Sequence, residues 1–239
     1  MEKYKFTGET KTIDLPFGTV TLHRIKAVVE FGLVKVGDLG GWIEKEENLS
    51  HEENAWVCGN AKVYGNAKVY DNAEVCDNAK VCDNAKVYDN AEVCSNAEVC
   101  GNAWVCGNAW VYDNAKVCDN AWVYGDAKVC GNAKVCGNAK VCGNAKVYGN
   151  AEVYDNAKVF SADHVLVIGA IGSRNDFATF FRNKDNEITV KCGCFLGKID
   201  KFLEKVTQTH KDTKHALVYR AAVEVAKLQI DLTEKSTRR

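Results

Sequence analysis

From Glu53 to Phe160 the chain is one hexapeptide written eighteen times without an insertion. The usual unit is Gly or Asp, Asn, Ala, a variable residue, Val, then Cys or Tyr. Its third position is Ala from Ala55 to Ala157, and its fifth is Val from Val57 to Val159. The second is Asn in every unit except the one holding Asp126. So strict a period confines the segment to a stacked architecture, because one short unit can bury its apolar face only against its neighbours.

Six residues per unit suit a parallel β-helix. Ala and Val stand two apart, so they point to the same side of a strand, and the residue between them points away. That outward residue is Lys in ten units, Glu in four and Trp in four. Asn beside Gly, Asp or Ser supplies the corner, since these residues tolerate left-handed backbone. The chain therefore alternates strand and corner, with small apolar groups inward.

An aliphatic residue followed four places later by a small one, as in Val57 with Ala61 and Val63 with Ala67, resembles the hexapeptide-repeat pattern of the left-handed parallel β-helix. That resemblance implies a triangular prism with three hexads per coil. Eighteen hexads then make six coils, roughly 29 Å tall at about 4.8 Å per coil. The open ends are sheet edges and need covers.

The chain divides accordingly into three parts. Residues 1–52 form an N-terminal β cap; TVTLHRIKAVVEF reads as strand or hairpin. Ile43, Leu49 and Ala55 are six apart, which starts the solenoid with an irregular coil near Gly40. Residues 53–160 are the repeat. Residues 161–239 lose the period and read as a small α+β module. There Val165–Ile171 is a strand, and Phe177–Arg182 with Ile188–Phe195 is a hairpin. Two helices follow, over Lys198–Thr209 and Lys214–Leu232. The first carries Ile199, Phe202, Leu203 and Val206 on one face; the second carries Leu217, Ala221, Val225 and Leu228.

Both flanks carry a further resemblance. RIKAVVEFGLVKVGDLGGWIEKEENLSHEENAWV, running into the repeat, resembles the bacterial and phage hexapeptide-repeat proteins of the YdcK type, usually labelled acetyltransferases. VLVIGAIGSRNDFATFF, VKCGCFLGKIDKF and THKDTKHALVY resemble a C-terminal module of phage-type repeat proteins. The resemblance implies homotrimers of prisms and, through the label, acyl transfer from acetyl-CoA.

Enzymes of that kind generally project a His from a coil as general base. The five His here are His23, His51, His164, His210 and His215, so none lies within the repeat. His51 and His164, at its two ends, keep an acyltransferase reading open. A catalytic Cys192 or Cys194, in a C-x-C pair and assisted by His210 or His215, is a further alternative; against it stands a buried pair in a hairpin.

Sorting the outward residues into three faces singles out one. It holds Lys68, Lys86, Trp104, Trp122, Lys140 and Lys158, with no Glu, and Tyr70, Tyr88 and Tyr124 on its edge. Aromatics bracketed by cations suit a flat anionic ligand such as a nucleotide. Lys86, Trp104, Trp122, Tyr124 and Lys140 are the candidate ligand residues; the alternative is that the two Trp mark an oligomer seam. Adjacent Trp about 4.8 Å apart leave no slot for a base between them. Arg174 joins the candidates, because the turn IGSRND with Gly169, Gly172 and Ser173 can hold a phosphate or carboxylate; the alternative is a plain turn between two strands, since no P-loop or G-x-G-x-x-G spacing is present.

Ten of the 12 Cys occupy the sixth hexad position, and Cys82, Cys100, Cys118 and Cys136 fall in one vertical file. Their spacing is within disulfide range. Parallel side-chain directions and an expected reducing compartment argue against bonding. No metal site is expected, since no His accompanies the thiols.

A net charge of −1 excludes coating long nucleic acid by charge, and the apolar runs are too short to cross a bilayer. MEKYKFTGETK has no apolar signal region, which sets the expectation of a cytoplasmic protein. The reading is thus a non-catalytic, trimeric β-solenoid that binds a small anion without a cofactor. Sequestration of a nucleotide signal of host immunity is one concrete role. Acetyl-CoA-dependent transfer and a ligand-free scaffold are the rivals.

Overall fold

A computed structural model describes residues 2–16 and 18–233. Each hexad contributes one two-residue strand, from Trp56–Val57 to Lys158–Val159. Strands 18 residues apart pair in parallel and in register, so Trp104 lies beside Trp122 and Val105 beside Val123. The three faces of the prism carry the residues expected from the repeat. One runs through Trp56 and Trp110, one through Lys62 and Lys116, and one through Lys68 and Trp104. Leu39–Ile43 pairs in parallel with Lys62–Val63, and Leu49 bridges Val69. This irregular turn, added to the six regular coils, brings the solenoid to about seven turns.

Packing inside the column is monotonous by design of the hexad. The inward Val side chains and almost every inward Ala are fully buried. Alternating medium and small side chains fill a narrow triangular section. Between coils the backbone is a continuous hydrogen-bond ladder, as from Trp104 N–H to the Ala121 carbonyl at 2.9 Å.

Two side-chain ladders reinforce the corners. Through most of the column the Asn amide donates to the Asn one coil on, for example Asn84 to Asn102 at 3.1 Å and Asn102 to Asn120 at 3.0 Å. Asp126 accepts from Asn108 at 2.9 Å but, as a carboxylate, has no N–H to pass on. Corner residues before Asn are left-handed; Asp89 has φ 57°. Its carboxylate accepts the Gly107 N–H of the next coil at 2.9 Å. Asp thus offsets its backbone strain with a charge-assisted bond, whereas Gly needs none.

Each end is covered. The N-terminal hairpin, Tyr4–Leu15 with Gly18–Ala27, places Tyr4, Ile25 and Ala27 on the first turn. The Tyr4 hydroxyl donates to the Leu49 carbonyl at 2.9 Å. The hairpin's distal half instead lies along the outside of the column. There Leu22, Ile13, Leu15 and Val20 cover Trp42, Tyr64, Cys82 and Cys100.

At the other end a four-stranded antiparallel sheet runs Val165–Ile171, Asp176–Arg182, Ile188–Cys192, Phe195–Lys198. The hairpin expected of Phe177–Arg182 with Ile188–Phe195 forms, but its second arm is two strands, because Gly193 at φ 55° reverses the chain. The strand Asp176–Arg182 is buried on both sides. Phe181 enters the core of the column, while Ala178 and Phe180 face the helices.

Helices α1 (Ile199–His210) and α2 (Lys214–Gln229) pack on that second side. The face expected for α2 is corrected: Leu217 is 59% exposed, Val225 49% and Leu228 90%. The helix buries Ala216, Tyr219, Ala222, Val223 and Ala226 instead. Three of the five are Ala, which lets the α2 backbone come close to the sheet. No helix among the described residues is long and apolar enough to cross a membrane.

Candidate functional site

The structure separates the candidate residues into two places. Trp104 and Trp122 stack at 4.8 Å with rings 5° from parallel. The Lys86 ammonium sits 4.7 Å from the Trp104 ring, and the Lys140 ammonium 4.7 Å from that of Trp122. Lys86, Trp104, Trp122 and Lys140 thus form one closed ladder in which every ring face is already covered. Tyr88 meets Trp104 edge-on at 6.2 Å and stacks on Tyr70 at 4.9 Å. Tyr124 hydrogen-bonds the Cys142 thiol, and burial is the main cause that pushes its hydroxyl pKa up. Only ring edges face outward, which removes the stacking surface a nucleobase would use.

Arg174 lies elsewhere, in the C-terminal module. It lines a cleft of about 270 Å³ together with Ser173, Cys192, Lys205, His210 and Tyr219. Phe195, Phe202 and Val206 give the cleft an apolar floor. The turn after Val165–Ile171 brings Arg174 across Gly193; a Cβ there would stand 3.3 Å from its guanidinium. Gly172, at φ 73°, lets Tyr219 reach the turn, since a Cβ at that position would meet the hydroxyl at 1.8 Å. The Ser173 backbone and the Cys192 thiol both hydrogen-bond that hydroxyl. Tyr219 also stands edge-on to Phe202 at 5.6 Å and beside the His210 ring at 5.6 Å.

Charge in the cleft is unbalanced. Arg174 and Lys205 face a single carboxylate, Asp176. Neither cation forms an ion pair among the described residues. A neighbouring recess of about 420 Å³ differs in this respect. Its Lys134 and Lys191 are both held by Glu152, at 3.1 and 3.0 Å. Burial pushes the Cys192 thiol pKa up, against the pull of the Tyr219 hydroxyl. A raised thiol pKa opposes a nucleophilic role.

The other imidazoles are tied into packing. The Lys3 amide donates to His51 Nδ1 at 3.1 Å, and the His51 ring stacks on Tyr4 at 4.2 Å. His164 is 2% exposed, accepts from the Phe160 amide at 3.0 Å and lies 3.4 Å from the Arg182 guanidinium. Lys205 and Tyr219 escaped the sequence reading. Their signal was their spacing from His210 and Phe202 along two helices, which means little until the loop folds α2 back on α1.

The thiol file departs from expectation at one pair. Cys118 and Cys136 are joined in a disulfide across adjacent coils, with Cα atoms 4.7 Å apart. The parallel directions that argued against bonding do not prevent it, because register pairing holds the two Cα atoms within bonding range. Compared with known proteins, the chain matches no family model and no curated protein.

Proposed function

We propose that this protein is a β-solenoid binding protein that takes a small organic anion in the cleft of its C-terminal module, with no chemical step. The carrying observation is that Arg174 and Lys205, neither in an ion pair among the described residues, line the same cleft as Phe195 and Phe202. Two cations with five-donor and three-donor heads suit a phosphate or carboxylate, and the aromatic floor suits a flat body attached to it. A nucleotide satisfies both demands. The phage-type resemblance narrows the class to cyclic or ADP-ribose-type nucleotides used as defence signals, which the protein would sequester. The column then serves as a rigid stalk for the module and, in the trimer that the resemblance implies, as its assembly surface.

Acetyl-CoA-dependent transfer has weaker support. Both end-of-column imidazoles spend their nitrogens or ring faces on structural contacts.

The test is calorimetric titration of the full chain with cyclic dinucleotides, ADP-ribose and inorganic phosphate. Saturable binding of at least one nucleotide is expected. Arg174→Ala or Lys205→Ala should weaken it at least tenfold with an unchanged circular dichroism spectrum. Absence of heat at high micromolar nucleotide overturns the reading. A thermal shift with acetyl-CoA alone would favour the transferase instead.

A further inference from the structure

Four thiols, Cys82, Cys100, Cys118 and Cys136, stand one above another on consecutive coils. Their coils pair in the same register throughout: Val81 with Val99, Val99 with Val117, and Val117 with Val135. Cys82 and Cys100 are therefore related as Cys118 and Cys136 are, and the latter two are already bonded. With Cys118 engaged, the one neighbouring thiol left to Cys100 is Cys82, and their side chains hydrogen-bond each other. We propose that Cys82 and Cys100 are a peroxide-reactive modification site that closes a second coil-to-coil disulfide, so that the file staples four coils in two pairs.

The surroundings assign a role to each thiol. Cys100 is partly exposed; its pKa is lowered by the Cys82 hydrogen bond and by the Lys116 ammonium. It is the thiol that meets the oxidant. Cys82 is 5% exposed, beneath the hairpin residues Leu22 and Val20, and acts as the resolving thiol. In the first step the Cys100 thiolate attacks hydrogen peroxide. The O–O bond breaks, a sulfenic acid forms, and hydroxide leaves as water with the proton the thiol had lost. In the second, the Cys82 sulfur attacks the Cys100 sulfur, the S–O bond breaks, and the departing hydroxide takes the Cys82 proton. Two thiols thus lose two electrons and two protons, and one peroxide becomes two waters.

Internal controls are built into the repeat. Cys106 has Tyr88 and Tyr124 at the positions one coil away; Cys130 has Tyr112 and Tyr148; Cys142 has Tyr124 and Phe160. None of these has a thiol to pair with along the column.

The experiment treats reduced, full-length protein with hydrogen peroxide and maps linked peptides by mass spectrometry without reduction. Linkages Cys82–Cys100 and Cys118–Cys136 are expected. Each should exceed any linkage of Cys106, Cys130 or Cys142 at least tenfold. In Cys100→Ser, Cys82 should stay free while Cys118–Cys136 still forms. A Cys100–Cys118 linkage overturns the proposal. So do Cys82 and Cys100 recovered as free thiols or sulfinic acids once Cys118–Cys136 has closed. Mapping of the unmutated protein decides the matter even where the variant folds poorly.

Discussion

Replacing Trp104 by Ala tests whether the Lys–Trp–Trp–Lys ladder is structural or holds the ligand. The side chain has three partners: the Trp122 face at 4.8 Å, the Lys86 ammonium at 4.7 Å and the Tyr88 edge at 6.2 Å. A stacked aromatic pair contributes about 0.5–1.5 kcal/mol beyond area burial. A surface cation–π contact adds about 0.5–1 kcal/mol. Allowing for the apolar area of a half-buried indole, the loss is about 2–3 kcal/mol in total. Trp104→Phe keeps a ring in the stack and should cost about half of that. Urea unfolding followed by far-ultraviolet circular dichroism measures both variants without relying on Trp fluorescence. Nucleotide titration of the folded Ala variant should match the unmutated protein. A loss below about 0.5 kcal/mol refutes the stacking account. A tenfold drop in nucleotide affinity would return the binding site to the ladder.

Three other outcomes follow from the packing. Val105→Ala empties a fully buried position whose coil spacing is fixed by backbone bonds on both sides. Poor collapse sets the cost at about 2–3 kcal/mol by urea unfolding; under about 1 kcal/mol would mean that the column adjusts. Gly172→Ala places a methyl 1.8 Å from the Tyr219 hydroxyl at φ 73°, which should lower stability by about 2 kcal/mol and loosen the cleft. An unchanged thermal midpoint would contradict it. Lys3 is 2% exposed with its ammonium donating to the Ala55 carbonyl at 2.7 Å. Burial lowers its pKa from 10.5 to about 8. The unfolded chain therefore binds more protons between those values, and stability rises with pH across that window. Relative to Lys3→Met, the unmutated protein should gain roughly 1–3 kcal/mol from pH 8 to 10.5, after allowance for solvent screening. A flat difference profile would show that Lys3 is not desolvated.

The column was legible residue by residue because its contacts are set by one number. Positions 18 apart touch, so faces, Asn ladders and thiol files can be listed before any coordinates exist. Even there, chemistry inside a file needed the structure. Sequence placed Cys118 above Cys136, but only the edge geometry showed the sulfur atoms meeting. The same spacing put Trp104 on Trp122 correctly. What it lacked was the position of Lys86 and Lys140 over the outer ring faces, which turns an inviting aromatic patch into a satisfied one.

The C-terminal module was legible only in outline, because its contacts join distant parts of the chain. Helix α2 offers two apolar stripes, one of Leu217, Val225 and Leu228 and one of Ala216, Ala222 and Ala226. Hydrophobicity favours the first; close approach to the sheet selects the second. Tyr219 then meets Cys192, His210 and the turn carrying Arg174 and Ser173. A period of six repeated eighteen times determines its own partners, since every unit's neighbour is a copy of itself. A cleft assembled from one turn, one strand edge and two helices has no such internal rule, so its existence and its charge were decided by the packing of the whole module.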